Sequence, residues 1–425
     1  MTEHDLLVEP WLRSLEAPGV LARRTDAGHA WMEQQLIRFG DGLLPTFPLP
    51  FVVGSAHLDD WIQRSQSLAD HIEGVAQTAL GDRGLFDTLG LQPAAQELLR
   101  IDPGYRRITV LSRPDAIVDR GKLAFLEFNC DSPAMMAFAD ALTECLLALD
   151  PDARLRATPP GEDMTSALLA TLLACWREFG GRDAAPHIAI TDWEGQKTRY
   201  EHRRIAAAFE RAGCPTVVCD PRAFRRDGRA LEIDGRRIDV VYRRALFTEL
   251  LERQEEVPAL LGAYRDGAVC MVNSLRSYLA SSKTLLALLC EREGIADVAR
   301  TTFLTPARIA TLLHGERPNV VKRGESHGGM HVLLPGVTTD DEWTRGLTLA
   351  AADPWPWVEQ VYHPVPRMTV LAMADGQPRR ESKFFNWNPF LFGGRYAGGI
   401  ARVSDTPLIN ISLGGGLLPT WRAPA

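Results

Sequence analysis

The sequence predicts an α/β protein assembled from α+β subdomains, on three observations. Residues 57–80 repeat apolar side chains at helical spacing, residues 113–129 alternate as a strand–turn–strand hairpin, and residues 187–219 run strand, helix, strand. A chain of 425 residues exceeds one ordinary core, so two or three subdomains are expected. Its composition, 45% hydrophobic and 24% charged, is that of a globular protein, and no apolar run reaches the length of a membrane span. The acidic N-terminus lacks a signal peptide, and seven cysteines without a Cys-x-x-Cys pair point away from a disulfide framework or a zinc cage. A cytoplasmic location is expected, with no membrane partner. The net charge of −7 argues against nonspecific nucleic-acid binding.

Residues 1–104 read as a helical region, with Leu58, Trp61, Leu68, Ile72, Val75 and Leu80 on one buried face. Residues 105–150 hold the hairpin, with strands at 114–118 and 123–128, followed by a helix. Ser132 and Pro133 predict the N-cap and first turn of that helix, which carries Met135, Met136, Phe138, Leu142 and Leu146 as core. A Pro-, Asp- and Gly-rich connection over 150–165 precedes a small Rossmann-like α/β unit spanning 185–278, expected to be the substrate subdomain. It has a strand at 187–192, a helix at 200–212, a strand at 216–219 and a hairpin over 230–242. In 279–425 a helix covers 283–293, and strands are expected at 319–322, 330–334 and 357–361. The stretch 384–419 is rich in Gly, Asn and aromatics.

A hairpin turn centred on Gly121 places Asp115 opposite Glu127 and Arg113 opposite Asn129, all on one face. Two directly opposed carboxylates repel, and a hard divalent cation such as Mg²⁺ would remove that repulsion. The alternative is a solvated hairpin whose turn is shifted by one residue, because such a slip exchanges a strand's faces. Lys283 falls in the first turn of its helix, where a cation opposes the helix dipole unless an anion lies nearby; an extended, solvated lysine is the other reading. Lys322 ends an apolar strand before a loop with Gly324, Gly328 and Gly329, which suits either a phosphate cradle or a tight surface hairpin. His327 and His331 have metal-like spacing only on a helix, which these glycines oppose, so zinc is not expected. Arg402 follows a glycine pair on a strand and suits a phosphate or carboxylate, or else solvent. Arg243 and Arg244 pose the same question, and alternation lets only one face any given pocket.

Together these segments resemble the circularly permuted ATP-grasp ligases, and within them the synthetase domain of glutathionylspermidine synthase. The resemblance spans roughly 105–415 and rests chiefly on Arg-x-Asp followed by Glu-x-Asn-x-Asp-Ser-Pro, here Arg113, Asp115, Glu127, Asn129, Asp131, Ser132 and Pro133. It implies that Asp115, Glu127 and Asn129 hold Mg²⁺ and that Arg113 stabilises charge during acyl transfer, with Arg402 in the closing Gly-Gly…Arg element. It also implies that Lys283, Lys322 and the glycine loop bind ATP phosphates, and that Glu359, Gln360 and Val361 form the hinge that reads adenine through backbone groups. Asn273 resembles the start of the Asn-Ser…Lys segment leading into the nucleotide helix, and Asn410 to Gly416 the family's Asn-x-Ser…Gly-Gly element. Tyr242, Arg243 and Arg244 match a Tyr-Arg-Arg motif of permuted relatives, and Arg243 and Arg244, with Ser132 and His327, are candidate substrate residues. His327 stands where glutathionylspermidine synthase has a lid arginine, and that enzyme's amidase domain has no counterpart in this sequence.

The implied function is ADP-forming ligation of a carboxylate to an amine through an acyl phosphate, with ATP and Mg²⁺ and small-molecule acid and amine substrates. A kinase on the same scaffold, or a nucleotide-binding protein without catalysis, are the alternatives; ADP release with acids, with and without amines, separates them.

Overall fold

A computed structural model describes residues 2–119, 121–315, 317–326, 330–409, 411 and 415–424. The expected mixed α/β character holds, with several separate sheets. The helix Ser55–Gly81 buries Leu58, Trp61, Leu68, Ile72 and Val75 on one face, as the spacing predicts. Leu80 is partly buried at the margin of the same core. Among the described residues no helix is long and apolar enough to cross a membrane.

The largest sheet has seven strands drawn from three distant parts of the chain. Its order is Phe51–Val53, Gly416–Arg422, Arg395–Ser404, Gln377–Phe392, Leu111–Asp119 and Lys122–Asn129, with Arg367–Ala374 pairing alongside Gln377–Phe392. A four-stranded antiparallel sheet orders Thr301–Phe303, Trp357–Val361, Asn319–Arg323 and Val332–Leu333. The two meet at the hairpin, where the Phe125 N–H donates to the Asp297 carbonyl at 2.7 Å and the Ala299 N–H to the Phe125 carbonyl at 2.9 Å.

The unit around 185–278 carries four parallel strands, ordered Cys270–Val272, Val240–Arg243, Ile188–Thr191 and Thr216–Cys219. The hairpin expected over 230–242 is therefore two things. Ala230–Ile233 and Arg236–Ile238 pair in a small outer sheet, while Val240–Arg243 joins the parallel one. All four residues of that last strand are buried, the signature of a strand covered on both faces.

One local expectation is corrected. The helix after the hairpin is Met136–Leu149, beginning after Ser132 and Pro133 rather than at them. Ser132 cannot cap it, because its Oγ donates to the Arg244 carbonyl at 2.7 Å. Glu201 supplies the cap from a neighbouring helix, accepting from the Ala137 N–H at 3.2 Å.

Candidate active site

The hairpin places its acids as the sequence predicts, by a different route. Asp119 pairs with Lys122, so the turn is shifted by one residue from a Gly121 centre, and Gly121 takes the left-handed φ of 78° that such a tight turn demands. A bulge between Asp115 and Ala116 then leaves Leu126 as an extra residue and restores Asp115 opposite Glu127 and Arg113 opposite Asn129. Gln360 holds the bulge, donating from Nε2 to the Leu126 carbonyl at 3.0 Å. Asn273 pins both ends of the hairpin: its Oδ1 accepts from the Leu111 N–H at 2.9 Å and its Nδ2 donates to the Leu111 carbonyl at 2.8 Å and to the Cys130 carbonyl.

Four cations converge on the two acids. Arg402 ion-pairs with Asp115, and Arg113 Nε lies 3.9 Å from Asp115 Oδ1. Lys322 Nζ is 3.4 Å and Lys283 Nζ 3.9 Å from Glu127 Oε1. Burial alone would raise the Glu127 carboxyl, but Lys283, Lys322 and Arg402 outweigh it and hold the group at about 2. Burial, reinforced by the neighbouring Arg402, lowers Arg113 to about 10, and burial also lowers Lys322. Lys322 is fixed by Gln360 Oε1 at 2.9 Å, and Lys283 by the Ser326 carbonyl at 2.8 Å. Lys283 sits at the start of the Lys283–Glu293 helix, capped by Ser282. The solvated readings of Lys283, Lys322 and Arg402 are thus set aside: none is more than 9% exposed.

Arg113, Asp115, Glu127, Asn129, Lys322 and Arg402 line a cavity of about 240 Å³, with Lys283 behind Glu127 rather than in its wall. Its other walls mix apolar side chains, including Ile117, Leu126, Val320, Val332, Leu334 and Val361, with Gln360, Tyr362, His363 and Asn386. Gln360 and Val361 reach this cavity, but the Glu359 side chain does not line it. Glu359 instead accepts from Arg308 at 2.8 Å and from Asn319 at 2.9 Å, contacts that hold its carboxyl below the usual range. Gly324 packs tightly, its N–H donating to the Pro356 carbonyl at 2.8 Å and its carbonyl accepting from the Lys283 N–H at 3.2 Å. His327, Gly328, Gly329 and Asn410 lie outside the described residues.

The candidate substrate residues Ser132, Arg243 and Arg244 are not among the residues lining this cavity. Arg243 is fully buried against Asp131 at 2.6 Å, and Arg244 donates to the Pro133 carbonyl at 2.6 Å. With the Ser132 bond to Arg244, they fasten the turn after Asn129 to the parallel sheet. Sequence reasoning missed Asn386 and Asn388, which hold Arg402 Nε at 3.3 and 2.8 Å. Asn388 also donates to Asp115 Oδ1 at 3.1 Å. Their alternation around Trp387 was a usable signal once that stretch is read as a strand.

Two carboxylates and an amide on one strand face form a hard-oxygen donor set, which suits Mg²⁺ rather than a soft metal. Asn129 and Asp115 converge, 3.1 Å apart between Nδ2 and Oδ1. Among the described residues no group of three or more His, Cys, Asp or Glu is placed to hold a metal, so any cation here needs the Asn129 amide or ligand oxygens to complete its shell.

No family model and no curated protein matches the chain. Solved structures do. A glutathione synthetase-like effector, GSS30 from Globodera pallida, superposes with a TM-score of 0.61 at 14% identity, covering 96% of this chain and 98% of that one. A putative gamma-glutamylcysteine synthetase from Methylobacillus flagellatus KT gives 0.41 at 12% identity, covering 89% and 90% of the two chains. The D-cycloserine synthetase DcsG gives 0.36 at 20% identity over 56% of this chain and 75% of that one. The last two scores are too low to carry an argument. The first, over nearly the whole of both chains, shows that this protein has the fold of a glutathione synthetase-like protein.

Proposed function

We propose that the protein is an ATP-dependent carboxylate–amine ligase of the ATP-grasp kind, forming an amide through an acyl phosphate and releasing ADP and phosphate. The observation that carries this reading is the charge arrangement around a cavity whose remaining wall is partly apolar. Arg113, Arg402, Lys283 and Lys322, four cations, lie within 4 Å of the two acids Asp115 and Glu127. Four converging cations suit a polyanion, and the apolar part of the wall, with Ile117, Val320, Val332 and Leu334, suits a nucleobase.

In this reading Lys283 and Lys322 bind phosphate oxygens, and Asp115, Glu127 and Asn129 hold Mg²⁺, which supplies Lewis-acid stabilisation of phosphate charge. A substrate carboxylate oxygen attacks the γ-phosphorus, the bond to the β-phosphate oxygen breaks, and ADP leaves. Arg113, reaching from the metal face, orients the carboxylate, while Arg402 holds the γ-phosphate and balances charge on the acyl phosphate it becomes. The amine nitrogen then attacks the acyl carbon, the C–O bond to phosphate breaks, and the amine gives up a proton. The acyl phosphate must be kept from water for the amine to compete for it. The resemblance to glutathionylspermidine synthase supports a permuted scaffold and an amine as acceptor, and the full-length likeness to a glutathione synthetase-like protein supports the ligase class.

Incubation with ATP, Mg²⁺, hydroxylamine and a panel of carboxylic acids tests the proposal. It expects ADP, phosphate and a hydroxamate from at least one acid; AMP and pyrophosphate would overturn it.

A further inference from the structure

We infer that the site's own cations plug its divalent-cation position, so that the metal enters only together with a polyphosphate. This rests on the ligase reading above. Each carboxylate that would hold the metal is already engaged. Asp115 Oδ2 pairs with Arg402, and its Oδ1 accepts from Asn129 Nδ2 and Asn388 Nδ2, both at 3.1 Å. Glu127 Oε1 faces Lys322 at 3.4 Å and Lys283 at 3.9 Å. Asn129 presents its N–H rather than its oxygen to Asp115.

A divalent cation arriving alone would have to displace these partners and sit among four positive side chains, where repulsion opposes it at every contact. A nucleotide triphosphate changes the balance. Its oxygens take Arg402, Lys322 and Lys283 away from the carboxylates, and the released acids then favour the metal. Nucleotide and metal therefore tighten one another's binding, and the coupling is reciprocal. Asn388 is a positioning residue in this scheme. It is fully buried and bridges the plug, accepting from Arg402 Nε at 2.8 Å while donating to Asp115.

Mn²⁺ is the probe, with unbound ion read from its paramagnetic resonance signal. The wild-type chain without nucleotide should leave Mn²⁺ largely unbound, and should bind it once the non-hydrolysable β,γ-methylene analogue of ATP is added. Arg402→Met should bind Mn²⁺ without nucleotide at least about tenfold more tightly than wild type, the scale for removing one adjacent cation from a partly buried site. Lys322→Met, which unplugs Glu127 instead, should do the same, so the test does not depend on one variant folding. Adding Asp115→Asn to Arg402→Met should abolish the gain. Wild type binding Mn²⁺ alone as tightly as both variants would overturn the plug. Calorimetry with the analogue reports on the ligase reading separately: no nucleotide binding would count against that reading, while the Mn²⁺ comparison still decides the plug.

Discussion

At the scale of the residue, the account turns on Asp115 and Glu127. Their opposition is costly without a cation between them, so Asp115→Asn or Glu127→Gln should cut ADP formation by roughly 10²-fold or more while the circular dichroism spectrum stays unchanged. Turnover near wild type at ordinary Mg²⁺ would remove the hairpin from the mechanism. Lys322→Ala should weaken ATP binding by about 2–3 kcal/mol in calorimetry, the scale for a charge-assisted phosphate contact left unmade. A third prediction concerns Asp192, far from the hairpin acids in sequence. Burial raises its carboxyl from 3.8 to about 7, against the opposing pull of Arg244. The folded state thus holds this proton more tightly than the unfolded one. Its stabilising effect is full below 3.8 and is lost as pH rises toward about 7. Denaturant titrations across that interval should show wild type losing stability relative to Asp192→Asn; parallel curves would contradict the assignment.

At the scale of the element, the sequence was most legible where one period ran without interruption. The helices at 55–81 and 283–293 and the strand at 357–361 fall where spacing put them. The hairpin shows why register is harder. A turn displaced by one residue and a bulge at Leu126 offset one another, so the facing acids were read correctly from a turn that was not. A tertiary contact from Gln360 stabilises that bulge, and periodicity cannot reveal it. Ser132 misled for the same reason: its hydroxyl is taken by Arg244, more than a hundred positions away, before it can cap a helix. Gly324 belongs to this scale too. A Cβ there would lie 2.8 Å from the Pro356 carbonyl oxygen and 2.8 Å from the Thr284 methyl. Gly324→Ala should therefore push the loop off the start of the 283–293 helix, lowering stability by about 1–3 kcal/mol in thermal unfolding and weakening ATP binding with it.

At the scale of the whole molecule, the site exists because strands far apart in sequence share one sheet. Arg402 reaches Asp115 only because Gln377–Phe392 lies between Arg395–Ser404 and Leu111–Asp119. The sequence named Arg402 and Asp115 separately, but nothing local joins them, and the second partner of Arg402, Asn388, lay in a stretch read only as rich in Gly, Asn and aromatics. Conversely, Arg243 and Arg244 look like ligand arginines in sequence, while the assembled core shows them holding the turn at Asp131–Pro133. What the whole arrangement is for, on this account, is to make an acyl phosphate and pass it to an amine. The most direct test uses an acid labelled with ¹⁸O in its carboxylate. An acyl phosphate broken at the acyl carbon transfers one label to the released phosphate, with ADP as the nucleotide product. Label appearing in AMP, or amide formed with unlabelled phosphate, would contradict the account.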